Sequence, residues 1–175
     1  IGHTGRGRQL VVGFSGAARA LPAIGLLTMV ALIAGIGLIG PLVALVVLAV
    51  PSVIAGAYSG IDSIEPVTRD AARAMGMSPM QVLWQVELPL ALPQLVGGVR
   101  AAALQVIATA TLAAYVGAGG LGVLLFRGLK TQDYPQMLAG SAVVVALAFL
   151  VDAAFEVITR VISRCAGVGA VAQAH

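Results

Sequence analysis

The stretch from residue 20 to residue 61 contains no charged side chain. A helix needs about 20 apolar residues to cross the hydrocarbon core of a bilayer, so this stretch is long enough for two spans. The chain as a whole is 59% hydrophobic and only 10% charged, which is outside the range of ordinary soluble domains. We therefore predict an all-α protein, a polytopic bundle of transmembrane helices.

Glycines, prolines and charged residues divide the chain into about four candidate spans. Turns are predicted at 35–41, where glycines precede Pro41, and at 117–122, which holds four glycines and indicates a loop or a re-entrant turn. The tail at 165–175 is predicted to be disordered. The predicted spans are 9–34, 41–58, 88–116 and 137–161.

Basic residues flank these spans unevenly. If the spans alternate in direction, six arginines lie on one side of the membrane and two basic residues on the other. Because cytoplasmic loops carry the excess of Lys and Arg, we expect the amino and carboxyl ends of this chain in the cytoplasm. We expect no nucleic-acid partner, since the charge of +3 lies in short segments beside membrane spans. The six arginines are Arg6, Arg8, Arg69, Arg73, Arg160 and Arg164, and the other two residues are Arg127 and Lys130.

Residues 62–89, which we call the elbow, carry the densest cluster of charge and lie between the second and third spans. Alanines near position 72 favour a helix, Gly76 is a natural C-terminal stop, and Ser78 followed by Pro79 is a typical cap and first residue of a new helix. The elbow is thus predicted to fold as a helix, a tight turn and a second helix. The methionines around Gly76 are interpreted as adaptable packing against a partner.

The spacing of the elbow resembles the cytoplasmic loop of permease subunits of binding-protein-dependent ABC importers. That loop reads Glu-Ala-Ala, three residues, Gly, nine residues, then Ile-x-Leu-Pro, and the same spacing is kept here by Asp70-Ala71-Ala72, Gly76 and Val86-Glu87-Leu88-Pro89. The two departures, Asp70 for Glu and Val86 for Ile, preserve charge or branched apolar character. Residues 105–122 resemble the subgroup that imports osmoprotectants such as glycine betaine, choline and carnitine, although methionine-type permeases look similar at 117–122.

The resemblance implies a type I ABC importer permease core, multi-pass in the plasma (inner) membrane of a bacterium or archaeon. Residues 1–164 would form the transmembrane domain and 165–175 a cytoplasmic tail. Such permeases usually carry one or two helices before this point, so we expect upstream spans to be missing from the sequence. The implied partners are an ATPase subunit that binds ATP and Mg, a second permease subunit, an extracytoplasmic solute-binding protein and membrane lipid.

The same resemblance assigns the coupling of ATP hydrolysis to the elbow, which would sit as a rigid knob in a groove of the ATPase. Asp70 is expected to face outward, and small alanines would allow close approach of the partner. The alternative without a docking role is an amphipathic connecting segment that lies on the lipid surface. The expected coupling residues are Asp70, Ala71, Ala72, Gly76, Leu88 and Pro89.

The sequence contains no catalytic constellation. It has no phosphate-binding Gly-Lys-Ser/Thr loop and no pair of cysteines, and its two histidines are terminal. We therefore predict a non-enzymatic subunit that holds no cofactor and no metal of its own. Its few aromatic residues make a complete cage for a quaternary ammonium group improbable, so selectivity is expected to reside in the separate binding protein.

Polar residues inside the third predicted span are the candidates for a translocation pathway. Arg100 should face protein or water, and a structural ion pair with Asp152 or Glu156, or extension of its side chain to the cytoplasmic interface, is favoured over direct substrate contact. Thr111 shares the face of Arg100, whereas Gln105 and Thr109 share another face. Threonines in membrane helices often bond their own backbone, so pathway lining is the weaker interpretation for them.

Three alternatives differ in class or in substrate. A methionine-type or other amino-acid ABC permease would share most of the motifs. A secondary transporter driven by an ion gradient would be favoured by paired intramembrane carboxylates or an inverted repeat, and Asp152 and Glu156 are the only candidates for such a pair. A small structural membrane protein would leave the elbow unexplained.

Overall fold

The computed structural model describes Gly13 and residues 22–35 and 37–165. Every regular element in this part of the chain is helical, which confirms the predicted all-α class. Three of these helices are long and apolar enough to cross a membrane, and a fourth apolar helix is shorter. We label the helices α1 (Ala23–Ala34), α2 (Ile39–Asp62), α3 (Pro66–Ala74), α4 (Pro79–Val116), α5 (Gly122–Thr131) and α6 (Tyr134–Cys165).

The predicted spans correspond to these helices, with differences at their ends. The span predicted at 9–34 is described essentially as α1, and most of its earlier half lies outside the described residues, as does nearly all of the predicted tail. Helix α2 begins slightly earlier than predicted and continues through the buried Pro51 to Asp62. The last span begins at Tyr134, three residues before the predicted Met137.

The α-helix of the third span begins at Leu88 as predicted, but α4 as a whole is continuous from the elbow into the span. It starts with one α-helical turn at Pro79–Gln81, widens into a π-helix at Val82–Glu87, and continues as Leu88–Ala113. The N–H of Leu88 donates to the carbonyl of Leu83, five residues back. Pro89 has no N–H, and its ring clashes with the carbonyl four residues earlier in an ordinary α-helix. The wider turn accommodates this proline without ending the helix.

Helices α2 and α4 pack against each other through glycine. A Cβ atom placed on Gly56 would lie 2.5 Å from the Cα of Gly98, and one placed on Gly98 would lie 2.7 Å from the Cα of Gly56. One turn further along, a Cβ on Gly60 would lie 2.8 Å from the carbonyl oxygen of Ala91. Small residues let membrane helices approach this closely, so the two backbones are in direct contact.

At the opposite end from the elbow, the chain folds back on α4. The predicted loop at 117–122 is confirmed: three of its glycines have φ between 79° and 84°, and it leads into α5. The first residue of α5, Gly122, lies against the backbone of Thr111, where a Cβ would approach the carbonyl oxygen to 1.9 Å. The rings of Tyr115 and Phe126 are 5.6 Å apart, and α6 then packs along α5 and α4.

Candidate functional site: the elbow and the polar groups of the spans

The turn that ends α3 has the local structure that the sequence predicts. Gly76 adopts φ 83°, its N–H donates to the carbonyl of Arg73, and the N–H of Met77 donates to the carbonyl of Ala72. These two bonds form a Schellman motif, in which the left-handed residue is usually glycine because a side chain there is strained. Gly76 therefore fixes the reversal between α3 and α4.

The start of α4 is held by a capping box, as Ser78 and Pro79 predict. The hydroxyl of Ser78 accepts from the N–H of Gln81 at 3.4 Å, and the side-chain oxygen of Gln81 accepts from the N–H of Ser78 at 2.8 Å. Reciprocal bonds of this kind satisfy two backbone donors of the first turn. The elbow is thus a helix, a glycine reversal and a capped helix.

The outer surface of the elbow is both charged and apolar. Asp70 is exposed, as predicted. Arg73, one turn along α3, is also exposed, and its Nη1 lies 3.8 Å from Oδ1 of Asp70. Four large apolar side chains are also exposed here to between 62% and 73%. Exposed apolar clusters on a protein surface mark contacts with partners or membranes. These four residues are Val67, Met75, Met80 and Trp84.

The predicted coupling residues do not all lie on that surface. Ala71 is exposed, but Ala72 is only 2% exposed, which corrects the expectation that both alanines face a partner. Ala72 is small because α3 packs closely against the rest of the chain on that side. Leu88 and Pro89 are half-buried at the π-helical turn, so they lie at the join between the elbow and the span.

Sequence reasoning missed an ion pair inside the elbow. The Nε of Arg69 lies 2.8 Å from Oε1 of Glu87, whose side chain is 1% exposed, and an Nη of Arg69 donates to the carbonyl oxygen of Ile61 at the end of α2. Glu87 is the one acidic residue between Asp70 and Asp133. A carboxylate at the start of an apolar span requires a nearby cation. The isolated Glu87 is therefore the sequence feature that would have indicated an ion pair with a basic residue of α3.

The ion pair predicted for Arg100 is confirmed and joins α4 to α6. Asp152 accepts from Nε at 2.6 Å and from Nη2 at 2.7 Å, and Glu156 accepts from Nη1 at 2.7 Å. Glu156 also accepts from Arg160 at 3.0 Å, one turn further along α6. The arrangement on Asp152 is the two-pronged geometry that makes Arg and carboxylate pairs strong.

The remaining pathway candidates are engaged in contacts between or within helices. The buried hydroxyl of Ser52 on α2 donates to the side-chain oxygen of Gln105 at 3.0 Å. Thr109 is buried and donates to the backbone carbonyl of Gln105, and Thr111 donates to the carbonyl of Ala108. Gln105 thus faces α2, and the threonines bond their own helix as predicted.

Two apolar cavities lie between α4 and α6. The first, of about 260 Å³, is lined by Thr111 and Ile107 of α4, by residues around Gly120, and by Val144 and Leu147 of α6. The second, of about 400 Å³, is lined by Leu104 and four residues of α6, including Phe149 and Asp152. Thr111 and Arg100 therefore share a face directed toward α6, as the helical spacing predicts.

Comparison with known proteins agrees with this architecture. Residues 1–164 match the family described as binding-protein-dependent transport system inner membrane component. The osmoprotectant import permease protein OsmW of Salmonella typhimurium is 38% identical over 100 residues, which are 57% of this chain and 46% of OsmW. The glycine betaine/carnitine/choline transport system permease protein OpuCB of Bacillus subtilis is 29% identical over 89% of this chain and 71% of its own length. The chain thus spans about half of OsmW and a larger part of OpuCB.

Solved structures that resemble the chain include inward facing conformations of the MetNI methionine ABC transporter. One superposes with a TM-score of 0.78 at 29% identity, covering 89% of this chain and 75% of the MetNI chain. A second crystal form gives a TM-score of 0.75 at 30% identity. The match over nearly the whole sequence, together with the helical elbow between two spans, identifies the chain as a member of the binding-protein-dependent transport system inner membrane component family.

Proposed function

We propose that this chain is the membrane-spanning permease subunit of an ATP-driven importer of compatible solutes of the glycine betaine, choline and carnitine class. Residues 1–164 form its transmembrane domain, and the elbow at 62–89 faces the cytoplasm of a bacterial or archaeal cell. A second permease subunit completes the passage, an extracytoplasmic protein delivers the solute, and a partner ATPase binds ATP and Mg. The family membership and the names of the curated relatives support this proposal.

The observation that carries the proposal is the construction of the elbow. Its two helices are joined by a glycine reversal with defined hydrogen bonds, and its outer surface presents Asp70 beside exposed Met75 and Met80. The second helix continues without a break into a span. A partner that grips this surface pushes directly on α4, which is what coupling between an ATPase and a distant pathway requires.

Gly76 offers a sharp test because only its backbone conformation is special. A Cβ on Gly76 would meet no atom within 4 Å, so the strain of a substitution comes from φ alone. Gly76→Val is expected to abolish ATP-dependent uptake while the protein still inserts and purifies, since a β-branched residue strongly disfavours the left-handed conformation. Gly76→Asn is the matched control, because asparagine tolerates this conformation, and it is expected to retain most of the uptake.

The measurement is solute uptake into proteoliposomes that contain the permease with its ATPase and receive the binding protein. Normal uptake by Gly76→Val at normal insertion would contradict a coupling role for the elbow. Uptake that persists without ATP and follows an imposed ion gradient would replace the proposal with a secondary transporter.

The substrate class is tested in the same vesicles by competition. Unlabelled glycine betaine, choline or carnitine is expected to suppress uptake of labelled betaine, whereas methionine is expected to have no effect. The similarity to MetNI makes methionine the informative competitor. Suppression by methionine alone would assign the chain to the methionine type.

A further inference from the structure

One side chain of α3 contacts both of the spans that the elbow connects. Arg69 lies 2.8 Å from the carboxylate of Glu87 in α4 and donates to the carbonyl oxygen of Ile61 in the last turn of α2. The three residues come from three different helices. We call Arg69, Glu87 and the Ile61 carbonyl the clasp.

Both contacts of Arg69 place its positive charge beside a group of negative charge or negative partial charge. The side chain of Glu87 is 1% exposed and its carboxylate forms an ion pair with Arg69, and removing one partner of a buried ion pair is strongly destabilising. The Ile61 carbonyl lies at the negative end of the α2 dipole, where it also accepts from the N–H of Ile64 at 3.3 Å. A guanidinium reaches both groups at once because its donors form a rigid fork, whereas a lysine ammonium is a single point charge.

The clasp lies beside the two irregular backbone segments that connect α3 to the neighbouring spans. Glu87 ends the π-helix at Val82–Glu87, and Pro89 follows it without a backbone donor. π-helical turns and prolines are the usual places where helices bend. On its other side, the backbone passes from α2 to α3 through the short turn at 63–65. A movement of α3 can be absorbed at these two joints, and it is opposed by the packing of the buried Ala72 and by the contacts of Arg69.

We propose that Arg69 and Glu87 are positioning residues for energy coupling, holding α3, the end of α2 and the start of α4 as one body. The inference rests on the proposed function of the elbow, and it names the contacts that keep the elbow rigid relative to α2 and α4. Breaking the clasp leaves the outer surface of the elbow intact, so ATPase binding and hydrolysis continue. The movement that the ATPase imposes on α3 is then taken up by bending at the 63–65 turn and at the π-helix. Only part of it is transmitted to α2 and α4.

The test compares ATP hydrolysed per solute transported in proteoliposomes that contain the complete transporter and its binding protein. Glu87→Gln removes the charge of the clasp, and Arg69→Lys keeps the charge but loses the fork. Each is expected to raise the ATP-to-solute ratio by at least about fivefold, the lower end of ordinary coupling effects, and to weaken stimulation of the ATPase by loaded binding protein. Glu65→Gln is the matched control, since it neutralises an exposed carboxylate of the same elbow, and its ratio is expected to be unchanged.

The outcomes separate this inference from the proposed function. Loss of uptake in Gly76→Val with an unchanged ratio in Glu87→Gln and Arg69→Lys would overturn the clasp and leave the elbow's role intact. Should both single variants fail to assemble, Arg69→Met combined with Glu87→Met removes the charges together and restores an apolar contact. An assembled but uncoupled double variant supports the clasp. Normal coupling in that variant, or its failure to assemble as well, would overturn it.

Discussion

Helix α4 packs against α2 and against α6 in opposite ways. Against α2 it packs glycine to glycine, with the Gly56 and Gly98 backbones in contact and one hydrogen bond from Ser52 to Gln105. Against α6 it is held by the charges of Arg100 and its carboxylate partners, and cavities of about 260 and 400 Å³ lie along the same contact. Backbone contact therefore fixes the spacing between α2 and α4 and leaves no room for adjustment, whereas the contact between α4 and α6 is made by side chains.

The largest loss of stability is expected from a substitution at the point where the backbones of α2 and α4 are in contact. Gly98→Val would place a side chain into the backbone of α2, where the Cβ alone would come within 2.7 Å of the Gly56 Cα. Overpacking a core with one or two methylenes already costs about 1–3 kcal/mol, and here no side chain can move aside. We expect a loss of at least about 3 kcal/mol, seen as loss of monodisperse protein in detergent and a collapsed thermal melt.

The neighbouring glycine provides the control for that experiment. A Cβ on Gly97 would meet nothing within 4 Å, so Gly97→Val is expected to purify and melt like the unsubstituted protein. Equal damage from both substitutions would mean that this part of α4 is sensitive to any valine, and the tight contact with α2 would then not be the cause.

An intermediate effect is expected at the charged contact with α6. Asp152 accepts two of the three hydrogen bonds from Arg100. Glu156 accepts the third through one carboxylate oxygen and a bond from the exposed Arg160 through the other. Asp152→Asn should therefore lower the melting temperature roughly twice as much as Glu156→Gln. Thermal melts of the two purified variants in one detergent check the ranking. The reverse order would show that Glu156 is the main partner of Arg100.

How well sequence reasoning worked depends on how far apart the interacting residues are. The reversal at Gly76 and the cap at Ser78 were predicted because their hydrogen bonds close within five residues. The partners of Arg100 were predicted because so few acids are available in the spans. The inward face of Ala72 was predicted wrongly, because the direction in which a nine-residue helix packs is set by α2 and α4 and not by its own residues.

Contacts between distant glycines and arginines were the hardest to foresee. Gly56 and Gly98 are far apart in the sequence, and only the fold brings them into contact. Arg69 and Glu87 are eighteen positions apart, and Glu87 lies in a π-helix that the sequence did not predict. Both cases are tertiary contacts that local propensity does not encode.

The smallest effect is expected at the hydrogen bond between Ser52 of α2 and Gln105 of α4. Gln105→Leu removes the acceptor of Ser52, but a serine hydroxyl in a helix can turn to its own backbone carbonyl. Hydrogen bonds between membrane helices are worth about 0.6 kcal/mol on average, and the glycine contact remains. We therefore expect a loss of about 1 kcal/mol or less in stability, and a double-mutant cycle with Ser52→Ala should return a coupling energy of the same size.

Solute uptake and its half-saturating concentration should stay unchanged in Gln105→Leu, since Gln105 faces α2. A change in solute affinity without a change in stability would place Gln105 on the pathway instead, and the contact between α2 and α4 would then be open to solute.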